Sequence, residues 1–95
     1  MACALTAQVS PVQARAGDAV SLQVNVAPPG VAAAVRVSVF SFGFEQPLAE
    51  RAGAWQLDTI VPYEAQPSDY LLDVYALDGE GRRCGETRVA FTVLE

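Results

Sequence analysis

The stretch Ala19-Val20-Ser21-Leu22-Gln23-Val24-Asn25-Val26 alternates apolar and polar side chains from end to end. Side chains two apart share one face of a strand, so Val20, Leu22, Val24 and Val26 point to a core while Ser21, Gln23 and Asn25 point to water. The flanks set its limits. Ala16-Gly17-Asp18 is a turn, and Pro28-Pro29-Gly30 ends the strand because proline has no N–H to give to a ladder.

The same period recurs on both sides of this segment. Leu5, Ala7 and Val9 alternate with Thr6 and Gln8 up to Ser10-Pro11, and Val35, Val37 and Val39 alternate with Arg36 and Ser38. Trp55 to Val61 alternates until Pro62. Tyr70, Leu72, Val74 and Ala76 share one parity, and so do Val89, Phe91 and Val93, with the turn-forming Asp78-Gly79-Glu80-Gly81 between them. Gln46-Pro47-Leu48 reads as a short edge strand. No segment carries apolar residues at helical spacing over three turns. Short strands with turn signals between them and no helix predict one all-β domain over residues 1–95, an antiparallel sandwich of seven strands.

Composition bounds the chemistry. Of 95 residues, 52% are hydrophobic and 18% charged, which is enough apolar material for a packed core and too little charge for a disordered segment. Histidine and lysine are both absent, and the six basic residues are Arg15, Arg36, Arg51, Arg82, Arg83 and Arg88. Imidazole metal sites, histidine-activated nucleophiles and lysine Schiff bases are thereby excluded. The formal net charge of -5 repels nucleic acid and anionic membrane surfaces. No apolar run reaches the roughly 18 residues of a membrane span, and residues 1–11 lack the basic start and apolar stretch of a signal peptide.

Val9-Ser10-Pro11 leading to Ala16-Gly17-Asp18-Ala19-Val20, then Asp69-Tyr70-Leu71-Leu72-Asp73-Val74, then a glycine turn and the final strand Val89 to Val93, resembles the immunoglobulin-like or fibronectin III-like modules that bacteria string along secreted and surface proteins. The resemblance spans nearly the whole chain on generic motifs. It implies a tyrosine-corner role for Tyr70, and a spacer, adhesion or carbohydrate-binding role without catalysis. Trp55 falls after the third strand and no cysteine pair joins the second strand to the sixth, so an antibody-type domain is disfavoured. In such a topology the first strand, or its second half, can run parallel beside the last, which sets the starts of both at one end of the sandwich and permits a bridge between Cys3 and Cys84. Three other readings stand beside it: a frayed terminus at Cys3, both thiols reduced in a cytoplasmic protein, or a Cys84 thiol activated by Arg82 and Arg83.

Three further clusters are weighed on chemistry. Asp58-Thr59-Ile60 lacks the glycine of an aspartic-protease turn, and Asp58 alternates within a strand, so it is read as a solvated carboxylate. Asp78-Gly79-Glu80-Gly81 has too few acidic positions for a calcium loop and reads as a hairpin turn, so no metal site is expected. The third cluster is aromatic. If Val35, Val37 and Val39 face inward, Phe40 and Phe42 face outward beside Tyr75 and Leu77 of the neighbouring strand; the competing reading is a bulge near Ser41 or Gly43 that turns both rings into the core.

The sequence therefore predicts a non-catalytic module without cofactor, acting as a spacer or protein-interaction domain of a larger secreted or surface protein. Its partner would be another protein or a neighbouring domain, met through Phe40, Phe42, Tyr75 and Leu77. The alternatives are a carbohydrate-binding module with an aromatic platform, and a small enzyme or enzyme inhibitor. A secreted or cell-surface setting is favoured over the cytoplasm.

Overall fold

In the computed structural model, which describes residues 2–39 and 44–95, the alternating segments are strands, and no helix occurs among the described residues. The strands are β1 (Ala4–Ser10), β2 (Gln13–Arg15), β3 (Ala19–Ala27), β4 (Ala34–Val39), β5 (Phe44–Pro47), β6 (Ala49–Arg51), β7 (Ala54–Ile60), β8 (Ser68–Leu77) and β9 (Arg83–Leu94). They form two sheets. The first has the order β1-β3-β7-β6 and the second β2-β9-β8-β4-β5.

The inward parity read from the sequence fills the space between the sheets. Val24 and Val74 are fully buried, Val35 and Val37 nearly so, and Val9, Leu22, Trp55, Val61, Phe91 and Val93 complete the core. Valine suits this position because its branched Cβ packs well on a pleated, buried surface. Among the described residues no charged side chain is buried. The turn before β3 closes as its residues require: Gly17 has φ 87°, its N–H donates to the Val61 carbonyl at 2.8 Å, and the Asp18 carboxylate accepts the Arg15 N–H at 3.0 Å.

The strand count departs from the expected architecture at two places in the chain. Nine strands stand where seven were expected, and the parallel pair of β2 with β9 is the pairing that the resemblance allows for the second half of the first strand. Pro11 has no N–H, so the first strand stops at Ser10 and resumes as β2 in the opposite sheet, where it pairs in parallel with β9 from Gln13↔Thr92 to Arg15↔Leu94. Of the expected edge strand Gln46-Pro47-Leu48, the first two residues end β5, and the chain re-enters the other sheet as β6 only from Ala49. Leu48, between β5 and β6, is buried and donates its N–H to the Val35 carbonyl at 2.9 Å, which carries the chain across the core.

A disulfide joins Cys3 to Cys84, closing a sequence separation of 81 residues with the two Cα atoms 5.2 Å apart. The Cys3 N–H also donates to the Cys84 carbonyl at 2.8 Å, so the chain just before β1 is tied to the start of β9 by a covalent and a hydrogen bond. A β-bulge makes room for this. Leu77 pairs with Arg83 and Ala76 with Gly85, which leaves Cys84 as the extra residue on β9 and re-aims it toward Cys3. Gly85 completes the fit, because a Cβ there would collide with the Cys3 carbonyl oxygen and lie 2.9 Å from both the Cys3 sulfur and Leu5 Cδ1.

Tyr70 also ties chain to chain: its hydroxyl donates to the Gln66 carbonyl at 2.7 Å, fixing the entry to β8. The molecule measures 41 × 24 × 16 Å. Replacing Gly85 by alanine is expected to lower stability by about 1–3 kcal/mol through overpacking against backbone that cannot move aside. Urea unfolding of the oxidised protein checks this; an unchanged midpoint would show that the β1–β9 approach is looser than described.

Candidate interaction face

The outward residues of β8 and its neighbours make the face that the sequence singled out. Cross-strand pairing sets Glu86, Tyr75, Arg36 and Pro47 in one row, Arg88, Asp73, Ser38 and Glu45 in the next, and Ala90 beside Leu71 in a third. Arg88 Nε donates to Asp73 at 2.7 Å, Arg83 meets Glu86 at 3.2 Å and Arg36 meets Glu45 at 3.6 Å. Opposite charges thus alternate across the face. These pairs are exposed, so each contributes at most about 1 kcal/mol and they govern recognition and solubility more than stability.

Phe40 and Phe42 lie outside the described residues. Tyr75 and Leu77 do sit on the outward parity, but neither the tyrosine ring nor the leucine side chain is freely exposed there. Tyr75 is only 8% exposed, because the Arg83 guanidinium lies 4.1 Å from its ring centroid while Arg36 and Glu86 flank it across the strands. Leu77 is half-buried. The bulge that aims Cys84 inward turns Arg83 outward onto the ring, so Arg83 covers an aromatic instead of activating a thiol. Among the described residues the exposed large apolar side chains are Val12, Ile60, Tyr63 and Leu71, and of these Leu71 belongs to this face.

Other candidate clusters resolve into local structure. Asp78 accepts the Glu80 N–H at 2.9 Å and the Arg82 N–H at 3.0 Å through one carboxylate oxygen, closing the β8–β9 hairpin. The described residues contain no group of three or more His, Cys, Asp or Glu placed to hold a metal ion. Asp58 is exposed and has its pKa lowered by hydrogen bonds from the Ser21 and Gln56 side chains. An apolar cavity of about 70 Å³ lies between the sheets, lined by residues that include Leu22, Val37, Leu57, Ile60 and Phe91. It is far below the several hundred Å³ of an ordinary ligand pocket.

No protein-family model matches the sequence, nor does any curated protein sequence. Among solved structures the chain is similar to part of an engineered protein, with a TM-score of 0.65 and 17% sequence identity over 97% of this chain and 20% of that one. The chain therefore spans about a fifth of that protein's length, and the likeness is one of fold alone.

Acid titration tests the hairpin. The Asp78 pKa is lowered from 3.8, chiefly by the Arg82 N–H and then by that of Glu80. A folded-state pKa below the unfolded one stabilises the protein above the unfolded value, and that contribution is lost as pH falls through the folded value. Carbon-detected NMR titration should place the Asp78 midpoint below 3.8, and Asp78→Asn should remove that part of the acid destabilisation. A midpoint at or above 3.8 would show that the two N–H groups do not hold this carboxylate.

Proposed function

We propose that the chain is a non-catalytic immunoglobulin-like module that acts as a spacer between parts of a larger secreted or surface protein and meets protein neighbours through the charge-alternating face of β9, β8, β4 and β5. Counting β1 and β2 as one interrupted strand and β5 as an added edge reduces the nine strands to seven. Their order in the two sheets then supports the immunoglobulin-like reading, as does the Tyr70–Gln66 bond, which has the form of a tyrosine corner. The Cys3–Cys84 bridge favours an oxidising compartment. The lack of histidine and lysine favours a role without turnover. The covering of Tyr75 by Arg83 weighs against a sugar-stacking platform at that ring.

The observation that carries the spacer reading is where the two ends of the chain lie. Cys3 is bonded to Cys84 at the start of the 12-residue β9, and Glu95 follows its end, where Arg15 Nε donates to the Glu95 carbonyl at 2.9 Å. A strand of that length spans about 40 Å, which is the long dimension of the molecule. A chain passing through the module therefore enters at one pole and leaves at the other. Small-angle scattering on two copies joined through a short linker should give a maximum dimension of about 80 Å, set by two strand lengths in line. A folded-back pair no longer than one copy would overturn the spacer reading.

A further inference from the structure

A tie between Cys3 and the first residues of the last strand also fixes how force would travel through the molecule. We propose, on the spacer reading above, that the Cys3–Cys84 bridge makes the module an inextensible strut: tension between its two ends passes through the bridge and β9 alone.

The covalent connection decides this. Load entering at residue 2 reaches Cys3 and divides between β1 and the disulfide. The route along β1 runs through the whole closed loop before it returns to Cys84, a separation of 81 residues, whereas the route through sulfur reaches Cys84 at once. Beyond Cys84 both routes share β9. That strand is already extended, held along its length by β8 and at its far end by β2. Fully stretched backbone reaches at most about 3.6 Å per residue and a strand already uses about 3.3 Å, so β9 has only a few ångströms of slack. The sandwich hangs on this strut without carrying the load. Unfolding the loop between the cysteines adds nothing to the end-to-end length, so tension cannot do work by unfolding it.

Without the bridge the load path changes completely. Force entering at residue 2 would act on β1 through its hydrogen bonds to β3, and all of the chain to Glu95 would be available to lengthen. The 81-residue loop that the bridge keeps out of the load path would then pay out as the sheets come apart. The redox state of one disulfide thus sets whether the link is a rod or a tether. Reduction needs two electrons and two protons, which a dithiol such as dithiothreitol supplies as it closes to its own cyclic disulfide, leaving Cys3 and Cys84 as thiols.

Single-molecule stretching of a polyprotein of this module, pulled through its two ends, tests the proposal. The oxidised protein should lengthen by less than about 10 Å per copy, the slack of one strand. After dithiothreitol, or in Cys84→Ala, each copy should lengthen by about 280 Å on unfolding. If the variant does not fold, the oxidised protein in concentrated guanidinium keeps the test sharp, because its ends should still be limited to about 50 Å of contour although the sandwich is lost. Unfolding steps of hundreds of ångströms in the oxidised protein would overturn the strut, as would equal extension before and after reduction. Either result leaves the spacer reading to its own scattering measurement.

Discussion

The rest of the structure depends on one junction, the tie between the chain at Cys3 and the start of β9 at Cys84. Closing so long a loop removes unfolded-state freedom worth about 4–5 kcal/mol by the chain-entropy estimate, a large part of the 5–15 kcal/mol that holds a typical domain together. The junction also forces local design. It needs a bulge to point Cys84 inward, a glycine after it to let Cys3 approach, and an outward turn of Arg83 that brings the guanidinium over Tyr75. The closed seam, the covered ring and the placement of the two ends all follow from the geometry of these three residues.

Charge and apolar surface are divided between the inside and outside of the sheets in a way that suits a module with neighbours. The interior is mostly valine and alanine with a few larger side chains, and a partly open apolar cavity of about 70 Å³ lies at its edge by Ile60. The outer face of the second sheet carries Arg36, Arg83 and Arg88 interleaved with Glu45, Asp73 and Glu86, so it is locally neutral although the whole chain carries a net charge of -5. A locally neutral, charge-alternating face can meet another polar protein surface without the repulsion that the overall charge imposes.

Much of the fold is legible in the sequence because a buried sheet face imposes a period of two, and the chain keeps that period almost without exception. The strand from Ala19 to Ala27 ends where Pro28-Pro29-Gly30 says it must, and the inward sets on β4, β7 and β8 are those the alternation names. Features that rest on a single residue were not legible. Leu48 carries the chain across the core and an extra residue at Cys84 shifts the register; both leave the alternation on either side intact. Parity placed Tyr75 on the outer face correctly but says nothing of exposure, which here depends on a guanidinium from the next strand. Gly85 reads as an ordinary strand residue until Cys3 is brought against it.

The central claim is that the two ends of the chain are the two ends of β9, held there by Cys3 and Cys84 at one pole and by Arg15 and Glu95 at the other. The most direct measurement is the distance between probes attached at residues 2 and 95 by a chemistry that spares the cysteines, in the folded and oxidised protein. A single narrow distribution near the length of a 12-residue strand, about 40 Å, is the result this account predicts. A short distance, with both ends at one pole of the sandwich, or a broad distribution reaching well beyond one strand length, would contradict it.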